Sequence, residues 1–270
     1  QMREAQLGVA VGKRGIGKSY TTTRIMSNYV KGFGGKVKPR RVLIMDVNDE
    51  FQGVKAISPS DISRFSMHPK IEARRIRPYN MDGSKMTLSD ISETLFVALD
   101  TYKGGLLLIE DINKYMSHHF PKDLVGAIVT NRHASMDIIM HYQAIGKVPT
   151  TIWENANWVR FHKNNQSVDR HKKKFEDKYE LFKLIECLVD NEYEKGNKYF
   201  FMYGNIEDTK INGEYTKKQW NDAIERYLSD NYRQVVVPEA NRMTLDGKKV
   251  HKSVKDATTH LKNKLTKKYL

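Results

Sequence analysis

Gly12-Lys13-Arg14-Gly15-Ile16-Gly17-Lys18-Ser19 fits the pattern G-x-x-x-x-G-K-[ST]. With glycine at its ordinary abundance, a chance match in a chain of this length has odds of roughly one in a hundred. The flanks agree with the motif. Leu7-Gly8-Val9-Ala10-Val11 reads as a short buried strand before it. Ser19 to Val30 reads as a helix after it, with Ile25, Met26, Tyr29 and Val30 on one face. Glycines at these places let backbone N–H groups wrap phosphates, and the helix start adds its dipole. Lys18 is placed to neutralise β- and γ-phosphate charge, and the Ser19 hydroxyl to hold Mg²⁺. The candidate cofactor set is therefore Gly12, Lys13, Arg14, Gly15, Ile16, Gly17, Lys18, Ser19 and Tyr20, with ATP and Mg²⁺ as the expected ligands.

Such a loop needs a carboxylate at the end of a neighbouring strand for the metal, and a hydrolase needs another to activate water. Leu106-Leu107-Leu108-Ile109-Glu110-Asp111 supplies two adjacent acids after four apolar residues. By position Glu110 serves the metal together with Ser19, and Asp111 orients or deprotonates the attacking water. Asp137 to Gln143 reads as a strand, and Gln143 at its end is placed to sense the γ-phosphate or hold water. Arg132, in Thr130-Asn131-Arg132-His133, is a candidate for an arginine that reaches a neighbouring subunit's phosphate. Plainer readings exist for both: an exposed glutamine and a surface helix arginine.

Away from these motifs the pattern alternates. Arg41 to Asp46 reads as a strand, Ser60 to Phe65 as a helix start, and Ala73 to Arg77 as a brief strand. Thr87 to Thr101 carries Leu88, Ile91, Leu95, Phe96 and Leu99 at helical spacing, with Ser89 as its expected N-cap. Pro121 to Ala134 reads as a helix with proline at its start, and Asn157 to Phe161 as another strand. Strands alternating with helices predict an α/β fold with a mostly parallel sheet. Beyond Phe161 come a basic run at Arg170 to Lys174, a helix from Lys178 to Asn191, a strand from Lys198 to Tyr203 and a helix from Thr216 to Leu228. Val235 to Pro238 reads as a joint. The expected division is residues 2–205 for the phosphate-binding domain and 206–270 for a small lid-like or C-terminal extension.

Composition bounds the function. The chain has 270 residues, 39% hydrophobic and 29% charged, which allows a real core. Cys187 is the one cysteine, so no disulfide can form within the chain, and a reducing intracellular setting is expected. No apolar run approaches membrane-spanning length. Gln1 before Met2 reads as a cloning remnant, and no signal peptide follows. The net charge of +14 points to a polyanionic partner. Residues 240–270 hold nine Lys or Arg against two Asp, and residues 1–40 hold nine against one Glu. Basic loops at Lys31 to Arg41 and Asn113 to Lys122 are candidate phosphate-backbone contacts. The basic tail is either a nucleic-acid-binding segment or a helix packed through Val254, Thr258, Leu261 and Leu265.

Together these segments resemble the FtsK/HerA branch of P-loop motor ATPases. The likeness covers about residues 5–165 and includes Asp46-Val47-Asn48-Asp49-Glu50-Phe51, similar to that branch's pattern of an Asp followed by Glu and an aromatic. Arg132, Gln143, Val148-Pro149 and Glu154-Asn155-Ala156-Asn157 resemble its arginine-finger, glutamine-sensor and following segments. The short chain and basic tail look most like viral genome-packaging ATPases. The resemblance implies a P-loop ASCE (RecA-like) ATPase fold with a central, mostly parallel sheet flanked by helices. It also implies a homo-oligomeric ring of about five or six subunits. Such a ring hydrolyses ATP and pulls double-stranded DNA through its centre. A capsid portal or a structural RNA would be its further partner, with no membrane involved. Its place would be the host cytoplasm, and transiently a viral procapsid. The alternatives are a conjugation or plasmid-type DNA translocase, a P-loop kinase, and a nucleic-acid-binding module switched by ATP.

Overall fold

The computed structural model describes residues 4–34, 37–80, 82–111, 126–128 and 135–270, which form two compact units, 1–157 and 158–270. The first unit runs β1 (Leu7–Val11), α1 (Lys18–Lys31), β2 (Val42–Met45), α2 (Ile62–Met67), β3 (Ala73–Ile76), α3 (Leu88–Thr101), β4 (Leu106–Ile109), β5 (Asp137–Tyr142) and α4 (Thr150–Asn155). Its strands lie in the order β3-β2-β4-β5-β1, every neighbouring pair parallel. Val42 pairs with Ala73 on one side and Leu106 on the other, Leu106 with Asp137, and Leu7 with Ile138. Every residue of β1, β2, β4 and β5 is buried. Both faces of the sheet are therefore covered, which is why these strands read as continuous apolar runs rather than alternating ones.

The strand order decides where chemistry can occur. β5 lies between β1, which feeds residues 12–19, and β4, which feeds Glu110 and Asp111. Parallel strands bring all three carboxyl ends to one edge, the place where open α/β sheets bind ligands. At the opposite end Asp137 is buried, accepting bonds from the Gln6 N–H at 2.7 Å and the Tyr29 hydroxyl at 2.6 Å. It ties β5 to α1 and to the segment entering β1. The helix α3 is capped by Thr87 and not by Ser89 as expected: Thr87 and Asp90 exchange side-chain and backbone bonds in a capping box. Of the helix expected over residues 121–134, residues 126–128 are described and helical; the rest lie outside the described residues.

The second unit holds β6 (Trp158–His162), β7 (Phe201–Asn205) and β8 (Lys210–Asn212), antiparallel to one another, with Trp158 opposite Asn205 and Tyr203 opposite Asn212. Three longer helices, α5 (Tyr179–Glu194), α6 (Lys217–Asp230) and α7 (Val254–Tyr269), complete it. Residues 232–240, where a joint was expected, are helical. Pro238 sits in the first turn of Val237–Ala240, where its missing N–H costs nothing. The basic tail folds as α7 with Ala257, Leu261, Leu265 and Tyr269 buried; Val254, expected on that face, is exposed. The Trp220 indole donates to Thr266 Oγ1 at 2.9 Å, and the Tyr269 hydroxyl and Lys268 ammonium both donate to Glu180. Cys187 is buried and free, its thiol pushed up to about 12 by desolvation. Among the described residues, no helix is long and apolar enough to cross a membrane.

Candidate functional site

The Gly12 N–H donates to the Tyr142 carbonyl at 3.2 Å, which ties the start of the loop to the end of β5. Gly15 and Gly17 take φ of 75° and 81°, the left-handed region in which glycine carries no Cβ penalty. A Cβ built on Gly15 would meet nothing within 4 Å and would project into open space above the loop. Gly17 caps α1, and the Thr21 N–H donates to its carbonyl at 2.9 Å. Lys18 is buried, its ammonium 2.6 Å from the Gly12 carbonyl and 2.7 Å from that of Lys13. The cation is thus held against the loop's own carbonyls rather than reaching into solvent. Lys13 is half-buried, Arg14 exposed and Ile16 packed beneath the loop; Tyr20 is 73% exposed.

The Ser19 hydroxyl faces two carboxylates, Glu50 Oε2 at 3.2 Å and Glu110 Oε1 at 3.4 Å. Glu110 is buried, and its second oxygen lies 2.6 Å from His141 Nδ1. The contact is one of proximity between the ring nitrogen and the carboxylate, outside hydrogen-bond geometry. On the far side of the ring, His141 Nε2 lies 2.8 Å from Thr22 Oγ1 on α1. A fully buried imidazole therefore stands between Glu110 and α1.

Asp111 follows with φ of 44°, uncommon for a residue with a side chain, though aspartate is among the more tolerant. One of its oxygens, Oδ2, accepts from two amides, Gln143 Nε2 at 2.8 Å and Asn48 Nδ2 at 2.9 Å. Gln143 comes from the end of β5 and Asn48 from the loop after β2, so three strand ends fix this one carboxylate.

The loop after β2 has its own frame. Asp46 is fully buried and accepts the backbone N–H groups of Glu50 at 2.9 Å and Phe51 at 3.0 Å. Arg75 on β3 pairs with Asp46 at 2.7 Å and Asp49 at 2.5 Å. Hydrogen bonding from Arg77 holds the Asp49 carboxyl below its ordinary value against the desolvation that opposes it, and Arg75 adds to the effect. Phe51 is buried as an anchor, and Glu50 is left facing Ser19. The Asp-then-Glu-then-aromatic pattern thus acts as one device: Asp46 folds the loop that presents Glu50.

Ser19, Glu110, Asp111 and Gln143 are all brought to the carboxyl edge of the sheet beside Lys18. Arg132 and the basic loop at 113–122 lie outside the described residues. Glu50, Asn48, His141 and Thr22 join the site without having been assigned roles from sequence. The signal for His141 was a lone imidazole inside an apolar strand; for Asn48 and Glu50 it was the acid-rich turn directly after β2. The donors fit the expected ligands. A hydroxyl and two carboxylates within 3.4 Å form the all-oxygen set a hard cation such as Mg²⁺ takes, and the amide-lined loop suits phosphates.

No protein-family model matches the chain, and no curated protein matches it. Solved structures do. The genome packaging NTPase B204 from Sulfolobus turreted icosahedral virus 2, in complex with AMP, is 17% identical, with a TM-score of 0.52 over 79% of this chain and 99% of that one. The same protein with AMPPCP gives 17% identity and a TM-score of 0.50 over 77% and 95%. B204, the DNA-packaging ATPase from Sulfolobus Turreted Icosahedral Virus, gives 14%, 0.51, 77% and 95%. At this identity the likeness is one of fold, and the chain has the P-loop ATPase fold of these structures.

Proposed function

We propose that this chain hydrolyses ATP at the carboxyl edge of the first unit's sheet and uses the turnover to move double-stranded DNA, in the manner of a viral genome-packaging motor. The observation that carries the hydrolytic half is the fixing of Asp111. Its carboxylate is pinned by the Asn48 and Gln143 amides, and it directly follows Glu110, which faces Ser19. A fixed carboxylate beside a phosphate loop suits a water nucleophile, which needs orienting because it has no scaffold of its own.

In this reading Lys18 and the loop amides bind the β- and γ-phosphates. Ser19 and Glu110, with Glu50 adjacent, would hold Mg²⁺. The bound ion would neutralise charge developing on the phosphates. His141 positions Glu110, Asp111 orients the attacking water and takes its proton, and Gln143 couples Asp111 to the end of β5. Arg132 would complete the site of a neighbouring subunit, the arrangement by which a trans arginine stabilises transition-state charge. The DNA half is supported by the net charge of +14 and by a fold shared with DNA-packaging ATPases. Phosphate contacts from lysines carry no base code, which suits a motor that must ignore sequence. A ring assembled on a procapsid, through a portal or a structural RNA, follows the same reading.

Mixed assemblies test it. Arg132→Ala subunits should bind ATP and fail to hydrolyse it. Mixing them with Lys18→Ala subunits, whose arginine is intact, should restore part of the turnover, and rings should be visible by electron microscopy with nucleotide bound. No recovery in demonstrably mixed rings removes the trans arginine, and a chain that stays monomeric with nucleotide and duplex DNA removes the motor.

A further inference from the structure

Three side chains of the second unit converge from separate stretches. Glu239 lies in the helical turn Val237–Ala240, His251 ends the loop that follows, and His260 stands in the second turn of α7. The loop doubles back because the Val250 N–H donates to the Arg242 carbonyl at 3.0 Å and Met243 bridges to Lys249. That return sets His251 Nε2 2.6 Å from Glu239 Oε1. His260 Nε2 lies 3.8 Å from the same oxygen, and one donor atom from each residue falls within 4.8 Å of the others. His251 is 5% exposed.

We propose that Glu239, His251 and His260 bind a divalent transition metal ion, Zn²⁺ by the chemistry of the donors. Two imidazoles and a carboxylate are a borderline N₂O set that suits Zn²⁺ and not Mg²⁺, and water would complete a tetrahedron. Ligands about 2.0–2.1 Å from a tetrahedral Zn²⁺ stand about 3.4 Å apart, so the site needs a small opening at His251 and a small closing at His260. An outer partner is already placed. Asp256 Oδ2 lies 3.8 Å from His251 Nδ1, the nitrogen a metal on Nε2 leaves to a second-layer carboxylate. Asp256 and His260 are four residues apart on α7 and so share a face. Arg242 Nη1 contacts Glu239 Oε1 at 3.0 Å and is half exposed, so the ion would displace it toward solvent. The ion would pin α7 to residues 237–240.

The test uses the full-length, untagged chain, stripped with chelator and titrated with ZnCl₂ without nucleotide. Calorimetry, elemental analysis and melting are the readouts. The expected result is one Zn²⁺ more per chain than His260→Gln binds, with a rise in melting temperature absent from His260→Gln and His251→Gln. His260 is 46% exposed at the side chain, so its variant should melt with the metal-free wild type and separate lost binding from lost folding. Zn²⁺ held by Glu50, Glu110 or His141 would persist in these variants and cancel in the difference. Equal Zn²⁺ content in wild type and His260→Gln, or an unchanged wild-type melting temperature, overturns the proposal and leaves Glu239 and His251 as a hydrogen-bonded pair.

Discussion

Asp111 holds a left-handed backbone and a carboxylate pinned by two amides, while its neighbour Glu110 is turned toward Ser19 and His141. The two adjacent acids therefore face different partners, and their variants should separate. Asp111→Asn should keep Mg-ATP binding and lose turnover by about 10²- to 10⁴-fold, the range for a positioned general base. Glu110→Gln should also weaken the dependence on Mg²⁺, read by titrating the ion at fixed ATP; swapped phenotypes would swap the roles. Lys18→Ala should lower turnover at least about a hundredfold with an unchanged melting temperature, because it removes a fixed cation from the phosphates. These three residues were legible because motif spacing constrains them. Asn48, Glu50 and His141 were not assigned, because their roles depend on strand order: β5 between β1 and β4, and β2 beside β4. Spacing along the chain carries no record of which strand ends become neighbours.

At the level of elements, β1, β2 and β4 were readable because burial on both faces leaves unbroken apolar runs. β8, three residues long, and α4, six, are too short to show a period. The helical segment 232–240 was obscured by Pro238, which reads as a breaker unless its place in a first turn is known. The tail was ambiguous from sequence, and its packing now makes a prediction. Burial raises the Glu180 carboxyl, but hydrogen bonds from Tyr269 and Lys268 outweigh that and hold it below its ordinary value. A depressed carboxyl adds stability above its unfolded pKa, near 4.3, that is lost as pH falls through the folded value. Glu180→Gln should therefore melt a few degrees lower at pH 7, about 1 kcal/mol, with the gap closing below about pH 4. A constant gap from pH 7 to 3 would contradict the link between α7 and α5. Because α7 is packed, its DNA role is best tested on exposed lysines. Lys255→Ala, Lys264→Ala and Lys267→Ala together should leave melting unchanged and weaken duplex binding most at low salt. The salt slope of log affinity should shrink by about 0.9 for each DNA phosphate these lysines neutralise. An unchanged slope would place the DNA-binding surface elsewhere.

For the whole molecule, the candidate chemistry is confined to the first unit, while the second carries the basic helix α7 and the proposed metal site. A net charge of +14 makes duplex binding expected on electrostatic grounds alone, so binding by itself distinguishes little. What separates a motor from a kinase or a switch is coupling: DNA must change the rate at which water, and not an acceptor hydroxyl, takes the γ-phosphate. The decisive measurement is steady-state release of inorganic phosphate from Mg-ATP, with and without duplex DNA of unrelated sequences, at fixed moderate salt. The account predicts phosphate release that rises with DNA, rises equally for unrelated duplexes, and vanishes in Lys18→Ala. Turnover indifferent to duplex DNA, in protein that demonstrably binds it, would contradict the account.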